Sequence, residues 1–229
     1  MSNERSNPMC FSAGASFAGG AAIAAIGVIT IRTNSDPSRR VFAAMPLVFG
    51  VQQISEGFVW VALQSSGHDL MLSLASYTFL FAAVILWPTY VPLSVLLMEK
   101  STNKRRAHIP FLVMGILVSL YYGFRAVTSD IVPVISSHHI KYTGDFPQRW
   151  ALTAFGGYLA ATLIPLFISG RRKVWLLGLL MTVSCLITGI FYKEYLTSVW
   201  CFFAALISMV ILWIVYEKDQ MDSGGKRSV

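Results

Sequence analysis

The chain has 229 residues, of which 55% are hydrophobic and 13% charged, with mean hydropathy +0.61. A water-soluble domain carries about a quarter charged residues, so this composition excludes a solvated globule and makes lipid the solvent. The net charge of +7 would suit nucleic acid in a soluble protein, but most of the 18 Lys and Arg sit in connectors between apolar runs, which argues against nucleic-acid binding.

The polar start MSNERSNPM carries no secretory-signal pattern. The run FSAGASFAGGAAIAAIGVITI that follows is about long enough to span a bilayer, and Ser12 stands where an N-cap belongs. Its small residues Ala15, Ala18, Gly19, Gly20 and Ala22 would let a neighbouring backbone approach closely. Further apolar runs fall at about 41–63, 70–98, 109–127, 150–169, 174–192 and 196–216, so with the first at about 12–31 the spacing predicts seven helices. TNSDPSRR, QSSGHD, EKSTNKRRAHIP and SGRRK divide them as polar, Gly- or Pro-marked connectors. Within the third run, Pro88 and Pro92 each remove a backbone donor, so the freed carbonyls call for partners from other helices or a water-filled cavity.

The first, third and fifth connectors are rich in Lys and Arg, and the second has none. Cytoplasmic loops carry that excess. The expectation is an all-α, single-domain bundle of seven transmembrane helices over 12–216, with residues 1–11 outside and the tail 217–229 inside. The bacterial inner (plasma) membrane is its expected location.

Against this apolar background, VQQISEGFVW places Gln52, Gln53 and Glu56 inside the second helix. Gln52, Glu56, Trp60 and Gln64 recur every four residues along one drifting face, with Gln53 beside them. Amides and a carboxylate are costly against lipid, so this stripe should face other helices. The orientation puts other polar groups at the same outer level: Cys10, His68, Asp69, Tyr121, Tyr122, Arg125, His138, His139, Arg149, Trp150, Cys185, Thr188, Tyr192, Ser198 and Cys201. Each has a plain structural reading too. Glu56 could pair with Arg125 to fix helix register, the glutamines could bond between helices, and His138 and His139 could simply be solvated. Cys10, at the positive end of a helix dipole, suits a ligand or nucleophile, or a small half-buried interface residue. If translation starts at Met9, removal of that Met would leave Cys10 with both an amine and a thiol.

MCFSAGASFAGG, PLVFGVQQISEGFVW and WPTYVPLSV resemble an uncharacterised family of small bacterial integral membrane proteins that open with Met-Cys-Phe-Ser-Ala and carry Gln-Gln-x-x-Glu-Gly in the second helix. The resemblance covers roughly the first hundred residues and departs from the pattern by the extra MSNERSNP before Met9. It implies that Cys10, Gln52, Gln53 and Glu56 form a shared site, and names no chemistry. A retinal protein would need a Lys in the last helix, where 196–216 has none, and the four histidines at 68, 108, 138 and 139 do not fit zinc hydrolases with a late H-x-x-x-H.

The leading expectation is a metal-binding or catalytic site opening to the outer face. Glu56 and Cys10 are its candidate catalytic groups; Gln52, Gln53, Trp60, Tyr122 and Arg125 line it; and Cys10, Glu56, His138 and His139 are candidate ligands for zinc, copper or iron. A proton-coupled transporter or small-molecule receptor is the alternative, with Glu56 as proton carrier and the Pro88–Pro92 break as a hinge; a structural or assembly subunit is the third. The lipid bilayer is the expected partner, with a second copy or a membrane partner subunit left open.

Overall fold

The computed structural model describes residues 12–65, 67–136, 139–143, 148–191 and 196–224, the side chains of 136, 139, 148, 149, 191, 196–202 and 218–224 excepted. Seven long helices are present among them: α1 (Ala13–Thr33), α2 (Met45–Gln64), α3 (Asp69–Met98), α4 (Thr102–Thr128), α5 (Gln148–Ile168), α6 (Arg172–Phe191) and α7 (Leu196–Gly224). Six helical stretches are long and apolar enough to cross a bilayer; in α7 the apolar stretch is Phe203–Glu217. Consecutive helices pack side by side and α7 returns to α1 and α2, closing a ring. The main core fills that ring with Phe42, Phe49, Trp87, Met98, Leu166, Leu177, Ile207 and Ile211.

Ser12 caps α1 as its position implies: its backbone is extended (φ −158°) and its Oγ accepts from Ala15 N at 3.2 Å. A turn of 3-10 helix, Pro37–Arg39, then leads through Arg40–Ala43 into α2. Asp36 caps that turn, accepting from Ser38 N at 2.9 Å, Ser38 Oγ at 2.8 Å and Arg39 Nε at 3.1 Å. Burial pushes the Asp36 carboxyl up, but the Ser38 bonds, the Arg39 bond and the Arg39 charge outweigh it, so the group lies below its ordinary 3.8. A depressed folded-state value means stability that is present above 3.8 and lost as pH falls through the folded value. Asp36→Asn should therefore lower stability at neutral pH, and the gap to wild type should narrow as pH falls below 3.8. Thermal melts in detergent across that range test it; a gap that stays constant refutes it.

The crossing of α1 and α2 is close at three glycines. A Cβ on Gly27 would lie 2.4 Å from Leu47 N, one on Gly50 2.7 Å from Ala24 N, and one on Gly20 3.0 Å from Ile54 N. Of the small residues read from the sequence, only Gly20 makes this approach; Ala15, Ala18 and Ala22 are exposed, and Gly19 has nothing within 4 Å of an added Cβ. Gly27 and Gly50 carry the rest because a helix presents one residue in three or four to a neighbour.

The break in α3 is wider than the two prolines imply. Phe81–Leu86 is a π-helical segment, and Trp87 N–H bonds Ala82 O in the five-residue register. Pro88, next in line, has no proton for Ala83 O. Tyr158 of α5 supplies it, its hydroxyl donating to Ala83 O at 2.9 Å. Ser119 of α4 donates to Ile85 O at 2.5 Å and lies 2.9 Å from Thr89 Oγ1. Pro88 and Pro92 are buried, and neighbouring helices reach the carbonyls of Ala83 and Ile85 as lipid demands.

Two features depart from the sequence reading. The helix α4 begins at Thr102, not near 109, taking in NKRRAH from the expected connector. The long connector before α5 contains an antiparallel hairpin, β1 (Val132–Ser136) with β2 (His139–Thr143). Its Ile140 is 1% exposed and packs with Val59, Trp60 and Ala75, while Tyr142 stacks on Phe79 with centroids 5.1 Å apart. At the opposite end, Glu99 Oε1 accepts from Ser169 Oγ at 2.6 Å and Gly170 N at 2.8 Å, and Arg171 Nη2 donates to Met98 O at 2.7 Å. That reciprocal clasp ties the end of α3 to the α5–α6 turn.

Candidate functional site

Four-residue spacing on α2 does put Gln52, Glu56 and Trp60 on one buried face, at 4%, 2% and 4% exposure. Gln64 is exposed and leaves the stripe, because the face drifts and the helix ends beside it. Glu56 lies about 12 Å below Gln64 along the axis, two turns inside a helix of spanning character. A carboxylate at that depth needs polar company.

The company comes from two neighbouring helices. Gln53 Nε2 donates to Glu56 Oε2 at 3.1 Å and to Ser16 Oγ of α1 at 3.2 Å. Ser16 is 4% exposed and stands one turn before Gly20, on the face that the glycine crossing brings against α2. Gln52 turns the other way: its Oε1 accepts from Trp87 Nε1 of α3 at 2.7 Å. The Trp87 ring stacks on Phe49 with centroids 4.1 Å apart and meets Tyr90 edge-on at 5.8 Å. The two glutamines thus divide their work, one holding Glu56 to α1 and the other joining its face to the break in α3.

Above Glu56, Trp60 closes the site with Val59, Ala75 and the hairpin's Ile140, and Ala13 and Leu63 pack against that cluster. The start of α1 therefore stands against this cluster. Tyr121, Tyr122 and Arg125 are half-buried on α4, which packs against α3 and α5; the two tyrosine rings meet 5.3 Å apart. His68 and Asp69 are exposed at the start of α3, and Trp150 is exposed on α5. Cys185 and Thr188 are buried on α6, as their shared face implies, with Thr188 Oγ1 donating to Ser184 O at 2.7 Å. Cys10, His138 and Tyr192 lie outside the described residues, as do the side chains of His139, Arg149, Ser198 and Cys201. Among the described residues no three of His, Cys, Asp and Glu come together as a metal-binding group.

Ser16 and Trp87 are the site residues that sequence reasoning missed. Trp87 could have been noticed as an indole beside Pro88 in an apolar run, since a buried Trp N–H seeks an acceptor. Ser16 carries no such signal, because its partner is 37 residues away and only the crossing angle brings them together.

The model of a family described as "Family of unknown function (DUF6629)" matches residues 9–225, which is nearly the whole chain and reaches well past the first hundred residues. No curated protein and no solved structure matches it.

Proposed function

The chain belongs to that family of unknown function, and from its geometry we propose that it is an integral membrane protein with an outer-facing polar site in which Glu56 ligates a bound group or acts as general base. One observation carries this reading: a carboxylate 2% exposed, two turns inside an apolar helix, is held by an amide that also reaches α1. Ionisable residues inside membrane helices are rare and point by default to a functional site. The basic ends of alternate connectors give the orientation. In this reading Gln53 positions Glu56, Gln52 and Trp60 shape the walls, and Tyr122 and Arg125 contribute from α4. Cys10 is the proposed further ligand or nucleophile, and His138 and His139 are proposed as additional ligands. Thiolate, imidazole and carboxylate together would hold zinc, copper or iron.

The test is elemental analysis, an optical spectrum and ligand-dependent melting on full-length protein in mild detergent, wild type beside Glu56→Gln and Cys10→Ala. The expected result is a bound ion, chromophore or ligand-dependent shift that Glu56→Gln loses while its helix content is kept. Wild-type behaviour of Glu56→Gln in every readout would sink the reading.

The second reading, a proton-coupled transporter, draws on the break in α3. Trp87 ends the π-helical register and also holds Gln52 on the Glu56 face, so movement at the break would reach the site directly. Solute flux in liposomes driven by a pH gradient and abolished by Glu56→Gln would select it.

A further inference from the structure

Two basic connectors meet at the end of the bundle away from Trp60. Glu99 on Ser169 and Gly170, with Arg171 on Met98 O, joins the connector after α3 to the turn before α6. Lys104 reaches the same turn: a Cβ on Gly170 would lie 3.0 Å from its Nζ and 3.1 Å from Glu99 Oε2. The fold thus gathers Lys100, Lys104, Arg105, Arg106 and Arg172, all exposed, into one cluster. Among the described residues, the acids at that end are already engaged. Asp36 accepts from Ser38 and Arg39, Glu99 from Ser169 and Gly170, and Glu217 pairs with Lys173. No ion pair joins any of the five exposed cations to a described acid.

The helix starts sharpen the imbalance. Both α4 and α6 begin here, and the positive end of a helix dipole favours acids in the first turn. Neither helix has one, and Ser101 at the N-cap of α4 makes no side-chain cap bond. Lys104 and Arg172 stand where the dipoles disfavour them, so this end lacks negative charge. Next to the cations the surface is apolar. Arg105 is followed at four-residue spacing along α4 by the exposed Ile109 and Val113. Arg172 is followed on α6 by the exposed Leu176, Leu179 and Val183, and the exposed Trp175 suits the headgroup level. The positive-inside rule asks only for basic loops; it does not ask that two be clasped together beside exposed apolar side chains. A free anion would use the cations alone, whereas a phospholipid uses both parts. We propose that this cluster is a docking surface for anionic phospholipid, whose headgroups supply the missing charge at two helix starts while the acyl chains lie along α4 and α6.

Melting of full-length protein in mild detergent tests it, with phosphatidylglycerol titrated against phosphatidylcholine of the same acyl chains. Phosphatidylglycerol should raise the midpoint saturably by roughly 4 °C, and phosphatidylcholine by much less. A variant combining Lys104→Gln, Arg105→Gln, Arg106→Gln and Arg172→Gln should lose the difference, and its melting without lipid shows whether it is folded. Should it not fold, Lys104→Gln with Arg172→Gln decides. Arg32→Gln with Arg40→Gln, which removes two exposed cations of the first connector, should keep the difference. A wild type that responds equally to the two lipids, or a four-site variant that behaves as wild type, overturns the proposal. Loss in the Arg32 and Arg40 variant would mean a diffuse effect of net charge, which overturns it as a site. Inorganic phosphate is the free-anion arm: a shift as large as that with phosphatidylglycerol would take the lipid out of the assignment.

Discussion

Gly115→Ala is expected to abolish the folded bundle. A Cβ at that position would lie 1.9 Å from Pro88 O and 2.7 Å from Pro88 C. Both atoms are backbone, so no rotamer change relieves the clash, and α3 and α4 would have to separate by more than 1 Å. Separation would pull Ser119 from Ile85 O and Thr89, reopening the carbonyls of the π-helical break to lipid. The combined cost exceeds about 3 kcal/mol, a large part of the stability of a small domain. Monodispersity in detergent and the melting midpoint measure it. Gly123→Ala is the control on the same helix, since its added Cβ would find only Ile85 Cδ1 at 3.9 Å; it should be neutral or slightly stabilising from helix propensity. A Gly115→Ala variant that melts with wild type would show that α3 and α4 are not held this close.

That glycine also marks where the sequence stops being informative. Apolar length set the number of helices, and Ser12 read correctly as a cap, because both depend on neighbours in the chain. The hairpin carried a weak local signal in VPVI and HIKYT, whose β-branched and aromatic residues suit strands, but the run is short and Pro133 speaks against a strand unless it lies at an edge. Nothing local distinguishes Gly115, Gly27 and Gly50, which meet backbone, from Gly19 and Gly156, which meet nothing within 4 Å. The site divides the same way. Burial of Gln52, Glu56 and Trp60 followed from four-residue spacing and the cost of polar groups in lipid. The partners did not follow, since Ser16 and Trp87 are 37 and 35 residues from the glutamines they meet.

Trp87→Ala should be nearly as damaging as the glycine change, and a graded series separates its two roles. The side chain is 5% exposed, stacks on Phe49 at 4.1 Å and donates to Gln52 Oε1 at 2.7 Å. Truncation opens a cavity at the head of the broken segment, at about 3–5 kcal/mol. Trp87→Phe keeps most of the ring but leaves a buried amide oxygen without its donor, which costs about 1–3 kcal/mol. Gln52→Leu orphans the indole in turn. The double variant Trp87→Phe with Gln52→Leu has no orphan and should be more stable than the sum of the single losses, by about 1 kcal/mol. Melting midpoints of the four proteins close the cycle, and additive losses would mean that the Trp87–Gln52 bond is not the link. The same series bears on function. If the break in α3 drives changes at Glu56, Trp87→Phe should alter ligand response even where it folds, because Gln52 is the connection between them. If Glu56 acts in a static pocket, Trp87→Phe should lower stability and leave the response of the folded protein unchanged.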